Sequence, residues 1–228
     1  MQISHTHKFI FFSFPKTGSE SIRELLAPYG EVEIVPYWEK TEEKPFYSHI
    51  SPAETKTLFE QRGWHYDEYF KFVFVRNPWA RLVSLYNMQH FTRPPKGMRG
   101  KLAAWWKNRN TPTFAEWLTN TQTDGPGAGG PDNQRWLVYG TYTLANYVCD
   151  ATGHELVDEV IKLEEINERV PAVLQQAGIP DADSLAVPNK NRRPAKKRYQ
   201  DYYDETSKTL VQQRYASDIE RFGYTFDD

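Results

Sequence analysis

The sequence predicts one α/β domain over residues 1–228, with a central, mostly parallel β-sheet flanked by helices. Two segments carry that prediction, Phe9 to Ser21 and Phe70 to Asn87. Each is an apolar run that breaks into a polar turn and then into helical spacing, which is how an open α/β sheet builds an anion site at a strand's C-terminal end. The third observation concerns length: 228 residues with no repeat and no dividing linker are enough for one full core.

In the first segment Phe9, Ile10, Phe11, Phe12 and Phe14 have the composition of a buried strand, and Pro15 ends it. Lys16, Thr17, Gly18, Ser19 and Ser21 then supply an ammonium, hydroxyls and a flexible backbone, just ahead of Ile22, Leu25 and Leu26 at helical spacing. A helix N-terminus there offers unpaired N–H groups and the positive end of a dipole to phosphate or sulfate. This is not a Walker A loop, because the lysine precedes the glycine and Glu20 stands where Gly-Lys-Ser/Thr would be completed.

Next comes HISPAETKTLFEQRG, in which Ser51, Pro52 and Glu54 predict a capping-box start and Gly63 a stop. His49 falls in the turn before that helix. Taken alone, it reads most simply as a polar residue near a cap. In the second segment Phe72 to Val75 predict another buried strand, and Asn77-Pro78 an N-cap followed by proline at the first helical position. Arg76 is thereby placed at the strand tip. Arg81 and Ser84, three apart, are expected to share a helix face suited to a second phosphate.

Residues 93–136 form a separate stretch, with a Trp-rich part, a second cap signal at Thr113 and Glu116, and the turn-rich TDGPGAGGPDNQ. It reads equally as a lid or acceptor wall with Trp105, Trp106 and Trp117 as stacking surfaces, or as a helical excursion whose tryptophans are core. Val160 to Leu163 predict a strand. Ile166, Val170, Val173, Leu174 and Ala177 predict a helix, and Val211, Tyr215, Ile219 and Phe222 a last helix ending at Gly223. Between these two helices lies NKNRRPAKKR, the one dense basic run, which by itself suits a nucleic-acid patch or a solvated loop.

Composition narrows the partners. Twenty-eight basic against 30 acidic residues give no field that favours nucleic acid. Cys149 is the only cysteine, so an internal disulfide and a cysteine zinc site are both excluded, and a reducing compartment is expected. The run at Phe9 to Phe14 is too short to span a bilayer and lacks the flanks of a signal peptide. The expectation is a soluble cytoplasmic protein, bacterial in type, without a membrane anchor.

The two segments together resemble the sulfotransferases that use 3′-phosphoadenosine 5′-phosphosulfate (PAPS), and most closely their carbohydrate-type branch. Pro15, Lys16, Gly18 and Ser21 match the Pro-Lys-x-Gly-x-x-Ser loop that holds the 5′-phosphosulfate in that family. Arg76, Pro78, Arg81, Ser84 and Tyr86 match its 3′-phosphate motif. Val157 to Glu164, Leu185 to Lys190 and Tyr215 to Phe226 resemble its C-terminal half. Glu20 departs from the pattern: a hydroxyl is common there, and a carboxylate beside phosphates repels them, so its side chain is expected to point away.

The resemblance implies a P-loop NTPase-like sulfotransferase fold and transfer of a sulfuryl group from PAPS to an acceptor hydroxyl, with adenosine 3′,5′-bisphosphate (PAP) as product. It implies a donor site made of Lys16, Thr17, Gly18, Ser19, Glu20, Ser21, Arg76 and Ser84, completed by Asn189, Lys190, Arg192 and Arg193 from the basic run. Lys16 is the expected catalytic cation and His49 the expected base, with His65 as its competitor; His5, His7, His90 and His154 match no motif position. Such transfer needs in-line geometry and fixed cations rather than a metal, so no metal is expected. The style of the motifs points to a carbohydrate acceptor, with the oligomeric state unreadable. Two rivals share the phosphate loop: a small-molecule kinase, which needs magnesium ligands and a Gly-Lys-Ser/Thr loop, and a non-catalytic protein that binds adenosine nucleotides or glycans.

Overall fold

In a computed structural model, residues 1–90, 111–121, 139–185, 187–188 and 197–228 are described. They group into two compact units, Met1–Arg76 with Leu144–Pro194, and Asn77–Thr143 with Ala195–Asp228.

The first unit holds a four-stranded sheet in the order β1 (Gln2–Ser4), β2 (Phe9–Phe12), β3 (Phe70–Val75), β4 (Glu159–Lys162). β1 runs antiparallel to β2, whereas β2, β3 and β4 are mutually parallel, with Phe12 opposite Val73 and Val75 opposite Lys162. The fold is thus α/β with a mostly parallel sheet, and β1 is an edge strand that the sequence did not predict. β2 is buried along its whole length, as parallel strands covered on both faces must be. On one face Phe9, Phe11, Phe72, Phe74 and Ile161 pack against Ile22 and Leu26 of α1 (Ser19–Leu26). Val170, Val173 and Leu174 of a later helix, Ile166–Gln176, join the same core. Each phenylalanine so buried contributes roughly 1.5–3 kcal/mol, so this face anchors the loop between β2 and α1.

Helix α2 (Pro52–Gln61) begins as expected, with Ser51 Oγ accepting the Glu54 N–H at 3.2 Å. The return half of the expected capping box is absent. The Glu54 carboxylate instead accepts from the Tyr47 hydroxyl at 2.6 Å and pairs with Lys40 at 2.7 Å. A short helix, Leu144–Val148, supplies Tyr147, whose hydroxyl donates to the Ile50 carbonyl at 2.8 Å and fixes the turn after His49.

The second unit opens with α3 (Pro78–His90), capped by Asn77, whose Oδ1 accepts the Trp79 N–H at 3.1 Å. α4 (Phe114–Asn120) carries the full capping box expected at Thr113 and Glu116. In chain order the two helices of the first unit's second half are α5 (Leu144–Val148) and α6 (Ile166–Gln176). The expected last helix is two helices, α7 (Glu205–Arg214) and α8 (Ala216–Phe222). The chain leaves helical geometry at Tyr215, with φ −115° and ψ 24°, and α8 ends on left-handed Gly223 as predicted. Buried Tyr215 holds the break by donating its hydroxyl to the Thr141 carbonyl. Among the described residues no helix is long and apolar enough to cross a membrane.

Candidate active site

The loop from Ser13 to Gly18 joins β2 to α1 and passes over the C-terminal end of the parallel strands. Its shape comes from two left-handed residues, Lys16 at φ 68° and Gly18 at φ 74°. Glycine suits the second position for two reasons. A side chain there meets the left-handed penalty, and a Cβ would lie 2.7 Å from the Leu163 Cδ1. The Thr17 and Ser19 hydroxyls both donate to the Phe14 carbonyl, at 2.8 and 3.0 Å, and lock the turn from inside. Gly18 occupies the N-cap of α1, and no side chain caps that helix. The Ser21 N–H donates to the Gly18 carbonyl at 3.1 Å, so an anion at this helix start would be met by the N–H groups ahead of Ser21 and by the positive end of the helix dipole.

Three groups converge on this loop. Arg76, at the tip of β3, directs Nη1 to the Lys16 carbonyl at 3.5 Å. Lys16 is the second. His49, from the turn before α2, places Nδ1 2.7 Å from the Ser13 carbonyl. A carbonyl only accepts, so Nδ1 carries the ring proton and the basic lone pair lies on Nε2. Burial lowers the His49 pKa from 6.5 to about 4, against the raising effect of the Ser13 carbonyl, and the positive charges of the N-terminal amine, Arg23 and Lys16 lower it further. The imidazole is neutral at physiological pH, as a proton acceptor must be. The competing His65 is exposed at the start of a short turn, Tyr66–Glu68. His5 and His7 hold structural contacts to the Tyr69 hydroxyl and the Gly178 carbonyl.

Glu20 is exposed on the first turn of α1. It lines a cleft of about 290 Å³ with Met1, Gln2, Arg23, Glu24, Ile34 and Ser48. Sequence reasoning missed three neighbours of His49. The Ser13 carbonyl sets its tautomer, Arg23 donates Nη1 to the Ser48 Oγ at 3.2 Å, and Ser48 precedes it in the chain. A backbone acceptor leaves no mark in a sequence, and the Arg23 to Ser48 pair spans twenty-five positions.

The second unit corrects one expectation. Arg81 does not share a phosphate-facing surface with Ser84. It is 1% exposed, its Nη1 and Nη2 donate to the Gly140 and Tyr142 carbonyls at 2.5 and 2.9 Å, and it lies over the Tyr215 ring. Spacing on a helix cannot tell a buried guanidinium from an anion ligand. Tyr86 likewise donates to the Pro112 carbonyl at 2.7 Å. Ser84 sits part-exposed on α3. Trp117 is core, 2% exposed, with its indole N–H on Gln89 at 2.8 Å. Trp105, Trp106, Asn189, Lys190, Arg192, Arg193 and most of 93–136 lie outside the described residues.

The strand-loop-helix turn, with no side chain capping its helix, thus carries Lys16 and is met by Arg76 at the Lys16 carbonyl and by a neutral His49 at the Ser13 carbonyl. The chain matches the Sulfotransferase family over residues 1–225 and belongs to that family. It is 24% identical to carbohydrate sulfotransferase 10 of Gallus gallus, over 97% of this chain and 65% of that protein. The Homo sapiens carbohydrate sulfotransferase 10 is also 24% identical, over 97% of this chain and 66% of that protein. The chain thus spans just under two thirds of the length of these relatives. A solved sulfotransferase from Alicyclobacillus acidocaldarius aligns at 18% identity and a TM-score of 0.45, covering 94% of this chain and 93% of that one.

Proposed function

We propose that the protein transfers a sulfuryl group from PAPS to an acceptor hydroxyl, most naturally that of a carbohydrate, and releases PAP. The observation that carries this reading is the convergence of Lys16, Arg76 and a neutral, Nδ1-protonated His49 on one loop at the strand ends. The N–H groups of the uncapped α1 start and Lys16 would hold the 5′-phosphosulfate and neutralise charge as the bridging oxygen leaves. Fixed donors of this kind are worth roughly a hundred- to a thousandfold in rate.

His49 Nε2 takes the proton of the attacking hydroxyl. The acceptor oxygen forms a bond to sulfur while the bond from sulfur to the phosphate oxygen breaks, and that oxygen leaves with the electron pair. A positioned base typically contributes about 10² to 10⁴-fold. Arg76 is proposed to bind the 3′-phosphate. Ser84, Asn189, Lys190, Arg192 and Arg193 are proposed to add to that contact on the strength of the family motif. With the cations supplied by side chains, the reaction is proposed to need no metal. A cytoplasmic location is part of the proposal, supported by the single cysteine.

The test is transfer from sulfur-labelled PAPS, in the presence of a chelator, to a panel of sugars. The expected result is a labelled sugar ester that disappears in Lys16→Ala and His49→Ala. Transfer of the γ-phosphoryl of magnesium-ATP to the same panel, with none from PAPS, would instead establish a kinase.

A further inference from the structure

His49 stands in a turn ahead of α2 and belongs to no helix or strand. The place of its ring therefore depends on contacts brought from other elements. The Ser13 carbonyl holds Nδ1 at 2.7 Å, and one residue after the ring the Tyr147 hydroxyl holds the Ile50 carbonyl at 2.8 Å. One residue before it, Ser48 is held twice. Its carbonyl accepts from the Met1 amine at 2.9 Å, an amine that also donates to the Ser13 Oγ at 2.6 Å, and its own Oγ accepts from the Arg23 Nη1 at 3.2 Å.

Among these contacts, the one from α1 is that of Arg23, which lies one turn beyond the helix start. Gln2 steadies that turn by donating Nε2 to the Arg23 carbonyl at 3.2 Å. Arg23 is half-buried, and its planar fork reaches Ser48 with a fixed direction. A base works only when its lone pair stands within hydrogen-bond reach of the acceptor's hydroxyl, so a small displacement of this turn costs rate without touching the donor. Arg23 also acts on the ring through charge. The charges felt most at His49 are the Met1 amine just ahead of β1, Arg23 on α1 and Lys16 in the loop, all cations that oppose protonation of the imidazole.

We propose that Arg23 is a positioning residue for His49: through Ser48 it fixes the turn that carries the base to the helix of the donor loop. This rests on the sulfuryl-transfer reading. It adds to that reading a direct tie between the element that would hold the donor and the turn that would hold the base, made by a side chain that touches neither substrate.

The test is a double-mutant cycle between Arg23→Met and Ser48→Ala, read by transfer from sulfur-labelled PAPS to the sugar panel and by NMR titration of the His49 ring. Each single variant should lose roughly ten- to a hundredfold in kcat, with KM for PAPS within about twofold of the wild type. Ser48→Ala removes only a hydroxyl, so it carries the test even where Arg23→Met lowers stability. The double variant should lose no more than the worse single one, because both substitutions remove the same bond. At about pH 5 the ratio of protonated to neutral His49 should rise roughly threefold in Arg23→Met, which loses a cation, and stay level in Ser48→Ala and Arg23→Lys, which keep it. A merely structural arginine would lower stability without that split. Losses that multiply in the double variant, a kcat near the wild-type value in either single one, or a loss confined to KM for PAPS overturns the inference. The protonation ratio needs no substrate. An unchanged ratio in Arg23→Met therefore overturns the inference even where the wild type transfers nothing from PAPS, which is the separate result that overturns the sulfuryl-transfer reading.

Discussion

His49 offers a test that needs no substrate. Its pKa falls from 6.5 to about 4 in the folded protein, chiefly because the ring is buried. The folded state therefore holds this group neutral, while the unfolded chain protonates it at ordinary acidity. Stability gained from the neutral ring is complete above pH 6.5, declines as pH falls, and is lost through the folded pKa near 4. With about 1.4 kcal/mol per pH unit, the loss attributable to this one ring amounts to about 3 kcal/mol by about pH 4. The assay is urea denaturation of the wild type and of His49→Gln from about pH 7 down to about pH 4. The variant lacks the titration but shares every other acid-sensitive group, so the difference between the two profiles isolates the histidine. At neutral pH the variant is expected to be the less stable by about 1 kcal/mol, from loss of the bond to the Ser13 carbonyl. That difference should shrink and then reverse as pH falls. Parallel profiles across the range would refute both the burial of the ring and its neutral state.

With His49 in the proposed role of base, the same pKa predicts that kcat/KM stays level down to about pH 5 and falls tenfold per unit only below about pH 4, where the ring is protonated; an acid limb near 6.5 in the pH–rate profile would contradict it. Gly18→Ala places a side chain at φ 74° and 2.7 Å from the Leu163 Cδ1, and should cost about 1–2 kcal/mol in thermal or urea melts together with donor affinity. Arg81→Met strips donors from the Gly140 and Tyr142 carbonyls; a loss of about 2–4 kcal/mol in denaturation is expected. Arg76→Ala, at a part-exposed position, should leave stability within about 0.5 kcal/mol of the wild type. The two arginines of one motif are thereby separated into a structural and a binding role, and equal stability losses would show that separation to be mistaken.

The parts of this fold that were legible in the sequence were those governed by local rules. β2 is an unbroken apolar run followed by Pro15, β3 carries the apolar run Phe72 to Val75 closed by Asn77-Pro78, and the caps at Ser51, Asn77 and Thr113 all form. β1 was missed because Gln2-Ile3-Ser4 is too short to show a period, and its pairing with β2 is a tertiary fact. The break at Tyr215 was hidden because Val211, Tyr215 and Ile219 keep helical spacing across it. At the candidate site, Lys16, Gly18 and His49 were singled out through motif and position, and the structure places Lys16 and Gly18 in the loop between β2 and α1 with His49 against its Ser13 carbonyl. Arg81 was misread because its partners, the Gly140 and Tyr142 carbonyls, lie about sixty residues away. Ser13, Arg23 and Ser48 went unnoticed for the same reason: what they contribute is a position in space, set by β2, α1 and the turn before α2.

The central claim is that the loop between β2 and α1, with Arg76, is a site for a 3′-phosphorylated adenosine nucleotide. Calorimetric titration with PAP tests it most directly, with ADP and magnesium-ATP as comparators, on the wild type and on Arg76→Ala. The account predicts preference for PAP without added metal, and a loss of at least tenfold in that affinity in the variant, on the scale of one charge-assisted contact to phosphate. Preference for magnesium-ATP, or PAP affinity unchanged by Arg76→Ala, would contradict it.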